Sequence, residues 1–258
     1  MSIYIQLAGG LGNQLFQYGA AILIQNAVGH KVFLTPAEEN KHSGRDYRKE
    51  LYGRIPHVNT VPPANQHVIY AYAEWDPEYF AECPLSLLIR GCYQHLPTFL
   101  PVLPTILEDL GSFLSPYRDA MRQKYSLGDL SSLGFLHVRR GDYLTIANGT
   151  VHPVQPMEYY TKAAKHVDVT RLLVLSNDVE WCRGERTLSG YEIIDEPDEL
   201  YALALMSLCH GGAIIANSTY SWWGAMLGAN AAGAPVVYPS NWTAHEDPQL
   251  FPSHWIRL

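Results

Sequence analysis

The sequence predicts an α/β fold with parallel sheets in two domains. Residues 1–35 have the pattern of a strand, a glycine-rich turn, an apolar helix and a second strand. After about residue 130, short apolar strand segments alternate regularly with helical segments, which is typical of a doubly wound parallel sheet. The length of 258 residues is enough for two compact cores.

The first predicted domain is organised around its glycine-rich turn. A strand is expected at residues 3–7, and the turn leads into an apolar helix over 13–27 that Gly29 closes. Later elements are expected as strands at 31–34, 67–72 and 86–93, and as two helices between 101 and 124. Residues 126–133 are rich in Gly, Ser and Asp, which favours a domain boundary near residue 130.

The second predicted domain contains five strands separated by helices. The strands are expected at residues 134–138, 171–175, 191–194, 213–216 and 235–238. The helices are expected at residues 156–167, from 178, at 198–210 and at 218–231. The domains therefore extend over 1–130 and 131–240, and the aromatic tail at 241–258 is expected to pack on the first domain.

The composition excludes several classes of function. Hydrophobic residues form 47% of the chain and charged residues 17%, as in a folded globular protein. The net charge of −7 provides no broad basic field, so nucleic-acid binding is not expected. The first residues begin a strand without a basic segment followed by an apolar one, so a cytoplasmic location is expected.

The glycine-rich turn has two interpretations. Gly10 and Gly12 supply two glycines of the dinucleotide-binding pattern GxGxxG, but Leu15 stands in the third position and no acidic residue ends the next strand. A tight turn that needs only the backbone freedom of glycine is the alternative. Asn13 and Gln14 favour a ligand, because two amides at a helix start can hold a hydroxylated molecule.

Three strand ends in the second domain carry polar clusters, at residues 137–143, 176–178 and 217–221. The carboxyl ends of parallel strands open onto one edge of a sheet, so these clusters are expected to meet. Arg139 can neutralise a phosphate with its planar guanidinium. The helix start at Ser218 offers free N–H groups for a diphosphate.

Each of these residues also has a structural interpretation. Asn217 and Asp178 could cap helices, His137 could be a buried strand histidine, and Arg139 could belong to a structural ion pair. Side chains alternate along a strand, so His137 and Arg139 share one face while Arg140 points to the other. We therefore expect Arg139 to act on the nucleotide and Arg140 to brace the loop.

Four ordered blocks of the sequence carry a family resemblance. They are LAGGLGNQLFQY at 7–18, HVRRGDY at 137–143, LSNDVEW at 175–181 and NSTYSWWGA at 217–225. In these blocks the chain resembles the bacterial α-1,2-fucosyltransferases of glycosyltransferase family 11. The HxRxGD part is also similar to the wider superfamily of α-1,2, α-1,6 and protein O-fucosyltransferases.

The resemblance implies a GT-B fold, in which two Rossmann-like domains face each other across a cleft. It implies an inverting enzyme that uses GDP-β-L-fucose as a substrate and needs no metal or other cofactor, and the chain has no DxD motif. The implied acceptor is a β-galactoside, fucosylated at O2 of a terminal galactose in a bacterial surface glycan such as an O-antigen. A lipid-linked acceptor would place the enzyme peripherally on the cytoplasmic face of the inner membrane.

By position, the resemblance also assigns roles to residues. Arg139 would bind the β-phosphate and Asn13 would reach the reaction centre. The resemblance assigns no base; Asp142 is the nearest carboxylate and could act as the base or orient Arg139. The other expected donor contacts are His137 and Asp178 on the nucleoside, Ser218, Thr219 and Ser221 on the diphosphate, and Gly10, Gly12, Asn177 and Asn217. Competing interpretations are transfer of another GDP-sugar or to a different acceptor, and a non-catalytic module that binds a GDP-sugar or a glycan.

Overall fold

The computed structural model describes residues 2–36, 45–82, 85–145, 149–245 and 248–258. The chain divides into two compact units, Met1–Leu110 with Pro248–Pro252 and Gly111–Asp247 with Ser253–Leu258. The division lies ahead of the helix at Ser115–Lys124 and not near residue 130, because that helix packs against the helix at Glu199–Ser207 of the second unit.

The first unit contains a four-stranded parallel sheet. Its strands are β1 Ser2–Gln6, β2 Lys31–Thr35, β3 Asn65–Ile69 and β4 Leu87–Gly91, in the order β2-β1-β4-β3. The described helices that begin here are α1 Leu11–Ala27, α2 Tyr47–Glu50, α3 Leu96–Phe99 and α4 Leu103–Phe113. The strand order reverses between β1 and β4, so the segments that follow these two strands emerge side by side.

Helix α1 confirms the apolar helix predicted after the glycine turn. Most of its side chains between Leu11 and Ile24 are buried. A β-carbon at Gly19 would lie 2.3 Å from the ring of Phe99. Glycine at this position therefore lets α1 and α3 pack closely.

The second unit contains a six-stranded parallel sheet. Its strands are β5 Leu133–Val138, β6 Arg171–Ser176, β7 Glu192–Ile193, β8 Gly212–Ile214, β9 Val236–Tyr238 and β10 Ile256–Arg257. The described helices are α5 Ser115–Lys124, α6 Met157–Ala163, α7 Val179–Gly184, α8 Glu199–Ser207 and α9 Thr219–Ala225, which continues as a π-helix over Met226–Asn230.

The second sheet has the strand order of a doubly wound fold. β5 lies in the middle, β6 and β7 extend to one side, and β8, β9 and β10 extend to the other. The order therefore reverses between β5 and β8. In open α/β sheets, ligands bind beyond the carboxyl ends of the strands at this reversal.

The tail differs from the expectation that it packs on the first domain. Its last residues form β10, which pairs with β9 and adds a sixth strand to the second sheet. Trp255 is buried beside Trp222, with ring centroids 5.9 Å apart, and its indole N–H donates to Asn230 Oδ1 at 2.9 Å. Of the tail beyond Asp247, only Pro248–Pro252 groups with the first unit. Burial of this aromatic side chain anchors the end of the chain in the second unit.

Candidate active site

Arg139 lies directly beyond the buried strand β5, where the strand order reverses. Its Nη2 is 2.6 Å from Asp142 Oδ1, and its guanidinium carbon lies 5.2 Å from the ring centroid of Tyr143. The side chain is 21% exposed. The carboxylate and the ring thus hold a partly accessible guanidinium at the carboxyl edge of the sheet.

The loop after Arg139 depends on a glycine. Gly141 has φ +40, and a β-carbon there would lie 2.2 Å from Asn177 Nδ2. Asn177 Oδ1 accepts a hydrogen bond from the backbone N–H of Arg140 at 2.9 Å. The end of β6 therefore clamps the loop after β5, and Asn177 supports the loop where a direct donor contact had been expected.

Arg140 makes contacts different from those of Arg139. Its Nε donates to Asp178 Oδ2 at 3.1 Å, and its guanidinium carbon lies 3.8 Å from the ring centroid of Trp181. Asp178 Oδ1 accepts from the backbone N–H of Trp181 at 3.4 Å and caps α7. Both oxygens of Asp178 thus have partners within the protein. Its cap on α7 is the structural interpretation that competed with the expected nucleoside contact.

His137 is held neutral inside the sheet. The residue is 4% exposed, and burial, together with the nearby charge of Arg139, lowers the pKa of its imidazole to about 3. Its ring centroid lies 6.0 Å from that of Tyr220. The uncharged ring can offer a hydrogen bond but no charge.

The segment after β8 buries two of the expected donor contacts. Ser221 is completely buried, and its hydroxyl donates to the carbonyl of Ser218 at 3.1 Å. Asn217 is also buried, and its amide donates to the carbonyls of Pro153 at 2.9 Å and Trp242 at 3.1 Å. Both side chains therefore face inward. Ser218 and Thr219 remain at the helix start.

Two aromatic residues complete this edge. Tyr143 donates from its hydroxyl to the carbonyl of Asn217 at 2.9 Å, which ties the loop after β5 to the end of β8. His152 stacks on Tyr143, with ring centroids 5.2 Å apart and planes at 18°. Burial raises the pKa of Tyr143 to about 12 and lowers that of His152. His152 was not predicted, because no motif around it signals that its ring packs here.

In the glycine-rich turn of the first unit, the residue that requires glycine is Gly9. It has φ +72, and a β-carbon there would lie 2.7 Å from Asn13 Nδ2. Gly10 instead has an extended conformation, and Gly12 is buried in the first turn of α1. Asn13 is partly exposed, and its Oδ1 accepts from Gln94 Nε2 at 3.1 Å.

No group of three or more His, Cys, Asp or Glu side chains is arranged to hold a metal ion among the residues that the structure describes. Across those described residues, no helix combines the length and the apolar character needed to cross a membrane. Metal independence remains a prediction.

Two Rossmann-like parallel sheets, each with polar residues at its reversal of strand order, are typical of the GT-B class of glycosyltransferases. The pattern of Glycosyl transferase family 11 matches residues 2–257, and the chain belongs to this family. It is therefore a glycosyltransferase of the fucosyltransferase-like kind.

Several known proteins are similar to the chain. The O-antigen biosynthesis glycosyltransferase WbnK of Escherichia coli is 30% identical over 99% of this chain and 100% of its own length. An alpha-1,2-colitosyltransferase of Escherichia coli is 29% identical over 48% of the chain and 46% of its own length. The galactoside alpha-(1,2)-fucosyltransferase 1 of Leontopithecus chrysomelas is 25% identical over 91% of the chain and 67% of its own length.

A solved structure shows the same fold. The fucosyltransferase NodZ from Bradyrhizobium superposes with a TM-score of 0.55 at 12% identity, covering 88% of this chain and 93% of NodZ. NodZ has also been crystallised with GDP and soaked with GDP-fucose.

Proposed function

We propose that this enzyme transfers L-fucose from GDP-β-L-fucose to O2 of a terminal galactose, with inversion at the anomeric carbon. The observation that carries the proposal is Arg139, held by Asp142 and Tyr143 at the carboxyl edge of β5. A fixed guanidinium at the reversal of strand order suits a phosphate group. Two findings support the choice of substrates. NodZ has been crystallised with GDP and soaked with GDP-fucose, and the relative from Leontopithecus chrysomelas is named a galactoside alpha-(1,2)-fucosyltransferase.

The second unit offers distinct groups for the parts of the donor. Arg139 neutralises the diphosphate, and the first backbone N–H groups of the helical run that begins at Thr219 add hydrogen-bond donors beside it. His137 meets the nucleoside as a neutral ring. Asp178 acts indirectly, since its carboxylate holds Arg140.

The reaction follows from where charge develops. The bond between the anomeric carbon and the β-phosphate oxygen breaks, its electron pair stays on the departing GDP, and the sugar gains oxocarbenium character. Arg139 stabilises the added negative charge on the leaving group. The galactose O2 then bonds to the opposite face of the anomeric carbon, and its proton passes to bulk water. In this mechanism Asp142 orients Arg139 through their ion pair.

The test is transfer from labelled GDP-fucose to a panel of β-galactosides, with the linkage determined by NMR. An α-1,2 product is the expected result. GDP-mannose, UDP-sugars and GDP-colitose are run beside it, the last because one relative is an alpha-1,2-colitosyltransferase. Preference for a UDP-sugar or for GDP-colitose would contradict the proposed donor, and no turnover with any acceptor would favour a binding module.

Variants of Arg139 test its role directly. Arg139→Ala is expected to lower kcat by about tenfold to a thousandfold, because it removes a charge-assisted contact made in the transition state. Arg139→Lys should recover only part of the loss, since an ammonium lacks the planar fork. The exposed Arg186→Ala serves as the matched control. Near-normal turnover of Arg139→Ala with GDP-fucose would rule out this mechanism.

A further inference from the structure

Three buried glutamines organise the glycine turn of the first unit. Gln14 Nε2 donates to the carbonyl of Gly9 at 2.9 Å. Gln17 accepts from the backbone N–H of Ala8 at 2.9 Å and donates to the carbonyl of Gly91 at 3.0 Å. Gln14 and Gln17 thus fix the backbone of the turn and join the ends of β1 and β4.

The third glutamine, Gln94, bonds to a side chain and not to the backbone of the turn. It is 3% exposed, and its Nε2 donates to Asn13 Oδ1 at 3.1 Å. Because Gln94 supplies the proton, the Asn13 amide must present its oxygen to Gln94 and its nitrogen to the other side. This bond sets which way the amide of Asn13 faces.

The backbone before Gln94 is strained. Tyr93 has φ +57, an uncommon conformation for a bulky residue. Its ring is fully buried against Trp75, with centroids 5.2 Å apart. The Tyr93 hydroxyl has no hydrogen-bond partner among the described residues, so packing holds the ring. The backbone N–H of Gln94 donates to the carbonyl of Ala71 at 2.7 Å, and this bond and the packing together hold the strained turn.

A strained turn that is locked by packing and holds a buried amide against a partly exposed one is the type of constraint found at functional sites. A partly exposed amide of fixed orientation can bind a sugar hydroxyl, which both donates and accepts hydrogen bonds. The first unit holds this pair where its own strand order reverses, which is where such sheets bind ligands.

We propose that Asn13 binds a hydroxyl of the acceptor sugar and that Gln94 is the positioning residue that fixes its amide. The inference rests on the proposed function, because the acceptor is the glycan that receives the transferred sugar. In the proposed function, Arg139 and the helix start at Thr219 bind the diphosphate of the donor, and both lie in the second unit. Loss of Gln94 should therefore impair use of the acceptor and leave use of the donor intact.

The test compares Gln94→Leu and Gln94→Glu with the wild type. The glutamate keeps the shape of the side chain but cannot donate a hydrogen bond when ionised. Both variants should lower kcat/KM for the acceptor by about tenfold to a hundredfold. The KM for the donor and the slow hydrolysis of the donor without acceptor should not change. Gln66→Leu, which removes an exposed amide on β3, is the matched control and should behave as the wild type.

A double-mutant cycle with Asn13→Ala separates positioning from stability. If Gln94 acts through Asn13, Gln94→Leu should have little further effect on acceptor kinetics once Asn13 is replaced. Additive effects, an unchanged acceptor kcat/KM in Gln94→Glu, or a parallel loss of donor hydrolysis would overturn the inference.

The wild type distinguishes this failure from failure of the proposed function. A wild type that transfers fucose while the Gln94 variants match it refutes only the role of Gln94. If the wild type transfers a different sugar, the same cycle run with that donor decides the inference. A wild type with no transferase activity overturns both.

Discussion

The neutral imidazole of His137 predicts a specific dependence of stability on pH. In the folded protein, burial lowers its pKa from the ordinary value of 6.5 to about 3. Below pH 6.5 the unfolded chain binds a proton that the native protein does not bind. The free energy of unfolding should therefore decrease as the pH falls from about 6.5 towards 3, and this contribution is fully present only above that range.

The size of the effect follows from the two pKa values. Each pH unit over which only the unfolded state is protonated changes the free energy by about 1.4 kcal/mol. Between pH 7 and pH 5 the native imidazole stays neutral while the unfolded one becomes charged. The contribution of His137 should therefore decrease by about 2 kcal/mol over this interval.

The assay is urea unfolding of the wild type and His137→Gln at pH 7, 6 and 5. The wild type should lose about 2 kcal/mol more than the variant between the two ends of this range. His152 and His210, whose pKa values burial also lowers, are present in both proteins and cancel in the difference. Replacement of the exposed His166 by Gln should leave the slope of the wild type unchanged. Parallel curves for the wild type and His137→Gln would refute the buried neutral imidazole.

Three further predictions address the loop and the reaction. Arg140→Lys removes the guanidinium that lies 3.8 Å from the ring centroid of Trp181 and bonds to Asp178, so the free energy of unfolding in urea should decrease by about 1–2 kcal/mol. A loss of donor affinity as large as that of Arg139→Lys would contradict the bracing role of Arg140. Gly141→Ala places a β-carbon against Asn177 at a positive φ, so the free energy of unfolding should decrease by about 1–3 kcal/mol and the KM for the donor should rise. Gly190→Ala is the control, because a β-carbon there meets nothing within 4 Å. Treatment with EDTA should leave transferase activity unchanged, and a loss that added magnesium restores would show that a metal is required.

The class of fold could be predicted because it depends on local periodicity. The alternation of apolar strands with helices is repeated along the chain, and the sheets are indeed parallel. β10 was missed, because two residues in an aromatic tail carry no strand pattern and become a strand only by pairing with β9. The unit boundary was also displaced, since the packing of α5 on α8 decides it and not the composition of the following loop.

The location of the candidate site was predicted better than its individual contacts. The rule that parallel strands end at one edge brought Arg139 and the helix start at Ser218 to the same reversal of strand order. The orientation of Ser221 depends on how α9 is rotated, and that of Asn217 depends on the carbonyls of Pro153 and Trp242, which lie far from it in sequence. The sequence contains no measure of either. Gln94 lies far from the glycine turn in sequence, so its bond to Asn13 carries no local signal.

The sequence by itself determined the alternating elements, the polar strand ends and the difference between Arg139 and Arg140, because these follow from periodicity along a single strand or helix. Only the tertiary structure decided which side chains face the edge of the sheet. It turned Ser221 and Asn217 inward, paired Asp178 with Arg140 and joined Gln94 to Asn13. The physical reason is that hydrogen-bond partners are chosen by distance in space, and residues distant in the chain become neighbours only when the sheets pack.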